Sequence, residues 1–460
     1  MRVPGLFYST DSNKQTLHRR ITPSADQQKI QQERWNDLCD YLIGNLKELS
    51  GYEISSWLQG SYKFGTQVRP SRKGVEFDID LGIYFKWSGT PEAGNFSPQQ
   101  FKNFVQKSLN SYWREAEEDV INVLTPPKDR CSRIQFVGDF HIDVPSYHLD
   151  PGRDARSLAT ESDVWEHSDP KAFYLWFREQ FSDEANSQVR RLIRYFKIWS
   201  ALQLEPPPSS MLWTVLVAEA YPALTTQESE GDDMALRHVA EAIANRLEST
   251  SEVLNPVDSS ENLNRLNNEQ ITVCIEQLRN LIDWADQALA ASTEVGTVAI
   301  WSEPFQHFFP ASEVDLNDPQ KHALVPVSFI PEVYVEAIAS NNPNAVFRGI
   351  NRIGPIPKNC GISFTLRNAG QLPPGARAQW IVRNEGDEAE LTNDMGHLAG
   401  TELGRTFEHS AYSGTHYMDL VVTSALGAVL GFCRIPVQIS GITMPARTPK
   451  KPGYTKFRRR

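Results

Sequence analysis

Asp78 and Asp80 lie inside the apolar run FDIDLGIYF (77–85), with Ile79 between them. Alternate residues of a strand project from one face, so these two carboxylates must converge. Like charges gathered in apolar surroundings repel unless a cation sits between them, and hard oxygen donors select Mg²⁺ or Mn²⁺. A third carboxylate, Asp143, stands on a second apolar strand, FHIDVPSYHL (140–149), which Pro145 closes. Gly60-Ser61 follows directly on the β-rich segment EISSWLQ (53–59). A glycine there lets the backbone approach a phosphate, and its neighbouring N–H groups and hydroxyl can cradle an anion. Each feature alone is commonplace: Asp-x-Asp is usually a solvated strand face, and Gly-Ser is usually a turn. Their order is not. Strand, Gly-Ser, strand with Asp-x-Asp and later strand with one Asp supply what two-metal phosphoryl transfer requires.

The elements that must carry these residues can be read around them. Ser24 to Leu49 has the spacing of one helix, with Ser24 as N-cap, an apolar face through Trp35, Leu38, Leu42 and Leu46, and Gly51 as its stop. Strands are predicted at 53–59 and 77–85, and a strand pair at 132–149. From Lys171 to about Ala291 the pattern is mainly helical. Ser168-Asp169-Pro170 reads as a helix entry, with Asp169 capping and Pro170 in the first turn. From Pro355 to Ile439 short alternating segments separated by Gly, Pro and Asn predict a small β-sandwich, with Trp380 and Tyr412 in its core.

Composition narrows the function classes. The chain has 460 residues and a formal net charge of −11, with ordinary hydrophobic content, which excludes a wholly disordered or fibrous protein. No apolar run approaches the length of a membrane helix, and MRVPGLFYSTDSNK lacks the apolar stretch of a signal peptide. Five scattered cysteines without a CxxC pair suit reduced thiols in the cytoplasm and argue against a zinc site. The acidic balance argues against an extended duplex-DNA surface. It conceals a split, because the last eighteen residues hold seven basic side chains and no acidic one. They read as a mobile tail.

The run LQGSYKFGTQVRP…EFDIDLGIYF…FHIDVPSYHL resembles the nucleotidyltransferase core of the cGAS/DncV-like enzymes (CD-NTases), bacterial cyclic-oligonucleotide synthases of anti-phage signalling. WEHSDPKAFYLWF (165–177), VRRLIRYFKIWS (189–200), PSSMLWTVLVAE (208–219), LNPV (254–257) and AIWSEPFQHFFP (299–310) resemble that family's helical half. The likeness thus covers about 24–310. WIVRNEG (380–386), NDMG (393–396) and YSGTHYM (412–418) resemble the adenylyl/guanylyl-cyclase-and-SMODS C-terminal sensor domain. The resemblance implies an α+β chain: a polymerase-beta-like mixed sheet with an N-terminal spine helix (1–165), a helical companion (166–330), a linker (331–354), an all-β sandwich (355–440) and the basic tail (441–460).

It further implies a Mg²⁺-dependent enzyme that makes a cyclic di- or trinucleotide second messenger from NTPs and releases pyrophosphate, in CBASS-type signalling. The messenger would act on a separate effector protein, and the C-terminal domain would take a ligand of its own. A linear oligonucleotide synthase or tailing enzyme remains open, as does a ligand-sensing protein with a dormant, partner-gated core. Asp78, Asp80 and Asp143 would hold two Mg²⁺ ions (with Mn²⁺ as the alternative), with Asp143 helping to deprotonate the acceptor hydroxyl. Gly60 and Ser61 would grip the donor phosphates and Lys197 would face the triphosphate. Tyr62 could stack on a base and Ser168 could touch one, although packing is the commoner role for such a tyrosine. His141 and His148 flank Asp143 but are read as structural, since Mg²⁺ prefers oxygen.

Overall fold

Two short helices, α1 (Pro4–Phe7) and α2 (Leu17–Ile21), lead into the long helix α3 (Ala25–Ser50). A reciprocal capping box starts α3: Gln27 N donates to Ser24 Oγ and Ser24 N to Gln27 Oε1, at 3.2 and 3.0 Å. Gly51, at φ 73°, ends it. The computed structural model describes residues 1–116, 118–224, 231–311, 328–425 and 429–443. It forms two compact units, one comprising Met1–Ser292, Ile300–Pro310 and Leu391–Asn393, the other Thr293–Ala299, Ala311–Glu390 and Asp394 onward.

The first unit is built on a mixed eight-stranded sheet. Its strands are β1 (Glu53–Gln59), β2 (Phe77–Lys86), β3 (Val120–Val123), β4 (Ser132–Phe136), β5 (Phe140–Val144), β6 (Ser146–Asp150), β7 (Ala155–Ala159) and β8 (Trp165–His167). The order is β3-β4-β5-β2-β6-β7-β8, with β1 antiparallel to β2. Where the sequence predicts a strand pair at 132–149 there are three strands, because Pro145 breaks one long run into β5 and β6. β2 serves both: it runs parallel to β5 over Phe77–Asp80 and parallel to β6 over Ile83–Lys86. Between them Ile83 N donates to the Pro145 carbonyl at 3.0 Å.

Parity then sorts the side chains. Phe77, Ile79, Leu81, Ile83 and Phe85 of β2 are buried in one core with Leu38, Leu42 and Leu46 of α3 and with Phe101, Val105 and Leu109 of α5 (Pro98–Glu115). The opposite face of β2 carries Asp78, Asp80 and Tyr84. Burial of one face therefore dictates where the carboxylates point.

The short helix α4 (Gly60–Phe64) follows β1 without a linker. The helical half comprises α6 (Pro170–Glu179), α7 (Asp183–Gln203), α8 (Ser210–Ala220), α9 (Asp232–Ser249) and α10 (Asn268–Ala290), with a hairpin of β9 (Leu254–Asn255) and β10 (Asp258–Asn262). Asp169 caps α6 by accepting from Ala172 N at 2.9 Å, and Pro170 occupies the first turn. Phe64 of α4 meets Phe173 and Phe177 of α6 at ring separations of 5.5 and 5.3 Å, which joins the sheet to the helices.

The second unit is a β-sandwich. One sheet has the order β12-β11-β14-β17 and the other β13-β19-β18-β15-β16, over β11 (Val333–Ala339), β12 (Asn342–Ile350), β13 (Ile353–Lys358), β14 (Cys360–Leu366), β15 (Arg377–Arg383), β16 (Gly396–Gly400), β17 (Arg405–His409), β18 (Gly414–Thr423) and β19 (Val429–Thr443). Its core joins Val333, Val335 and Phe364 of the first sheet to Trp380, Leu420 and Ile435 of the second. The stretch 331–354, read from sequence as a linker, is instead part of the sandwich, since β11 and β12 pair along it. Trp380 is fully buried as expected. Tyr412 is not core: it is only partly buried and its hydroxyl donates to Asp394 Oδ2 at 2.7 Å. From residue 444 the basic tail lies outside the described residues.

Candidate active site

Parallel pairing of β2 with β5 sets Asp78 beside His141 and Asp80 beside Asp143. Antiparallel pairing of β4 with β5 then sets Arg133 opposite Asp143 and Gln135 opposite His141. β2 and β5 thus present Asp78, Asp80 and Asp143 to a cleft of about 470 Å³, a volume suited to a small-molecule site, with Arg133 of β4 behind Asp143. Gly60, Ser61, Asp78, Asp80, Asp143 and Ser168 all line it.

The carboxylates differ in environment. Asp78 is half-exposed. Asp80 lies against the α4 turn: a Cβ built on Gly60 would come 1.8 Å from Asp80 Oδ2, and Gly60 has φ +58°. Both facts require glycine at that position. Burial, then the charges of Asp78 and Asp143, push the Asp80 carboxyl up to about 8. Asp143 is held differently. Burial pushes its carboxyl up, but Arg133 and Lys128 outweigh this and hold it below the ordinary range. Arg133 donates from Nε to Oδ1 at 2.5 Å and from Nη2 to Oδ2 at 2.8 Å, and Lys128 Nζ donates to Oδ2 at 3.1 Å.

This donor set fits divalent cations. One ligand atom from each of Asp78, His141 and Asp143 lies within 4.8 Å of the others, and Asp80, raised by its neighbours' charge, gains most from a cation beside it.

Lys197 of α7 donates to the Thr66 carbonyl at 2.9 Å. Burial, then the Arg194 charge, lower its ammonium to about 8, while Asp78 and Asp80 oppose the fall. It therefore stands in the field of the carboxylates, tied to the loop after α4, and is not the exposed lysine that a helix surface would give. Ser168 bonds to Tyr147, whose hydroxyl also donates to Gln59 Oε1 at 3.1 Å. Tyr62 does not reach the cleft. Gly60, Ser61 and Phe64 share the cleft face of α4, and Tyr62 lies on the other side, where its hydroxyl accepts from Trp35 Nε1 at 3.2 Å. Packing against α3 replaces the base-stacking role.

Sequence reasoning missed Arg133, Lys128 and Glu76. Arg133 and Gln135 alternate with buried Ser132, Ile134 and Phe136 on β4, a signal of one polar face that was available. Lys128 lies in an irregular loop and had none. His141 was dismissed as structural, yet its Nε2 stands 2.9 Å from Asp78 Oδ1. His148 keeps that reading, stacking on Trp87 at 4.0 Å between ring centres.

Comparison with known proteins finds relatives of both units. Residues 55–147 match the family model for the cyclic GMP-AMP synthase DncV-like nucleotidyltransferase domain, and residues 316–440 the adenylyl/guanylyl and SMODS C-terminal sensor domain. A cyclic GMP-AMP synthase of Escherichia albertii is 29% identical over 460 residues, covering 98% of both chains. A c-di-GMP synthase of Roseivirga ehrenbergii is 25% identical over 55% of this chain and 74% of its own. Among solved structures, the apo form of Vibrio cholerae DncV superposes with a TM-score of 0.57 at 18% identity, over 66% of this chain and 95% of that one. By these matches the chain carries a DncV-like nucleotidyltransferase domain over 55–147 and an adenylyl/guanylyl and SMODS C-terminal sensor domain over 316–440.

Proposed function

We propose that the protein condenses two nucleoside triphosphates into a cyclic dinucleotide and releases pyrophosphate at each bond. The observation that carries this reading is the convergence of Asp78, Asp80 and Asp143 with Gly60-Ser61 on one cleft. When bound to these carboxylates, Mg²⁺ or Mn²⁺ ions would lower the pKa of the acceptor hydroxyl and neutralise phosphate charge. The chain's own groups do the rest. Ser61 and the backbone at Gly60 hold the donor phosphates, and Lys197 adds positive potential on that side. Arg133 and Lys128 keep Asp143 ionised, ready to accept the acceptor's proton. Ser168 and Asp169 line the rim where a base would lie.

The Escherichia albertii relative, alike along the whole chain, supports ATP and GTP as the pair to test first. The wider reading places the enzyme in the cytoplasm, in CBASS-type anti-phage signalling, with a separate effector protein reading the product. The C-terminal domain would bind its own ligand and gate the core.

The test is mass spectrometry of products formed from labelled ATP and GTP with Mg²⁺, followed by phosphatase. A phosphatase-resistant dinucleotide is expected. A resistant trinucleotide would correct the ring size, and solely phosphatase-sensitive products would sink cyclisation. Asp78→Ala combined with Asp80→Ala should lower the rate by about a thousandfold or more with the fold kept.

A further inference from the structure

His141 has no part in the mechanism above, yet both of its ring nitrogens are placed with care. The side chain is 8% exposed. Nδ1 lies 2.7 Å from Glu76 Oε2, and Gln135 Nε2 donates to Glu76 Oε1 at 2.9 Å, so the glutamate is itself held in position. Nε2 is buried and has no hydrogen-bond partner among the described residues, although Asp78 Oδ1 is 2.9 Å away. The contact is close without the alignment of a hydrogen bond. In the tautomer whose Nδ1–H donates to Glu76, a nitrogen lone pair and a carboxylate oxygen face each other. That arrangement is repulsive unless a cation lies before both. Asp143 supplies a third donor within 4.8 Å.

We propose that His141 is a metal ligand: its Nε2, with one oxygen each from Asp78 and Asp143, holds a divalent cation that accepts nitrogen, Mn²⁺ in preference to Mg²⁺. The inference rests on the phosphoryl-transfer reading of the cleft and deepens it. Glu76 is the positioning residue. By accepting the hydrogen bond from Nδ1–H it selects the tautomer that frees Nε2 and turns the ring toward the carboxylates, the arrangement in which a histidine ligand is held by a carboxylate behind it. Mg²⁺ demands oxygen and sheds water reluctantly, whereas Mn²⁺ accepts imidazole and carboxylate together. Arg133 Nη2 and Lys128 Nζ both bond to Oδ2 of Asp143, so the oxygen offered to the cation is Oδ1, which takes only Arg133 Nε from these two residues and keeps a second lone pair.

The experiment adds Mn²⁺ to the full chain without nucleotide and records electron spin-echo envelope modulation, which detects nitrogen bound to manganese. Nitrogen coupling is expected in the wild type and its loss in His141→Gln. Calorimetry should show Mn²⁺ affinity roughly ten- to a hundredfold weaker in His141→Gln and in Glu76→Gln, with Mg²⁺ affinity changing much less. A wild-type spectrum without nitrogen coupling overturns the proposal and depends on no variant folding. Equal Mn²⁺ affinity in wild type and a folded His141→Gln overturns it as well. The functional reading is judged apart. Cyclic product from a wild type lacking nitrogen coupling removes the histidine ligand alone. Nitrogen coupling without any pyrophosphate-releasing synthesis upholds the ligand and removes the functional reading alone.

Discussion

Without a bound cation, Asp80 is the carboxylate most opposed to its own charge. An aspartate titrates near 3.9 in an unfolded chain, against about 8 here. Between those values the native state keeps a proton that the unfolded state has released, so this residue's contribution to stability falls as pH rises through that window. Asp80→Asn should remove the fall. In EDTA, the wild-type melting temperature should decline from pH 4 to pH 8 more steeply than the variant's, leaving the variant higher at pH 8 by on the order of a few degrees, though inactive. Matching pH slopes in thermal melts would count against the crowding described for the site. At this scale the sequence was legible wherever the signal was local. The parity of Asp78 and Asp80 and the adjacency of Gly60 to a strand end are written in consecutive residues. The polar face of Arg133 was likewise written in the alternation of β4, whereas Glu76 and His141 gain their meaning from the pairing of β2 with β5, far apart in the chain, which no local pattern carries.

Among the elements, α3 was legible to within a residue at each end, because Ser24, Gln27 and Gly51 are sequence-local stop and start signals. Ser24→Ala should cost about 1 kcal/mol in urea unfolding and leave the kcat of the folded fraction unchanged. A loss of kcat at full folding would show that the cap does more than hold the helix. The failures also have physical causes. Strand β12 has no fully buried residue, and β13 carries two prolines in IGPIPK. Such strands lie at sheet edges, as both do here, where neither apolar alternation nor a full set of N–H donors is demanded. β12 therefore looks like linker, whereas β11 (VYVEAIA) alternates buried and less buried residues as an internal strand should, a signal that was available. Tyr62 follows the commoner role for such a tyrosine: the turn of α4 carries the ring to the far side, where it packs against Trp35.

On the scale of the whole molecule, each unit has its own hydrophobic core. Trp380 is fully buried in the second and donates from Nε1 to the Glu402 carbonyl at 2.8 Å. Trp380→Ala should cost about 3–5 kcal/mol there. Hydrogen exchange should quicken at the amides of β15 and β18, and unchanged protection of those strands would contradict the core assignment. The extent of the sandwich also governs how a sensor role is tested. Phe329 is already in its core, so a truncation must end before it, whereas a cut near residue 345 would pass through β12 (Asn342–Ile350). The double service of β2, first to β5 and then to β6, has a consequence for how such a site can change. Its chemistry is stored as a phase relation between strands and not as a string of letters. Loops such as 87–97 can lengthen or shorten without disturbing that phase. A single residue inserted between Phe77 and Asp80 would invert it, sending carboxylates into the core and isoleucine into the cleft. Variation in this protein is therefore free in amount between strands and quantised within them, and an insertion scan along β2 would read as an on–off pattern.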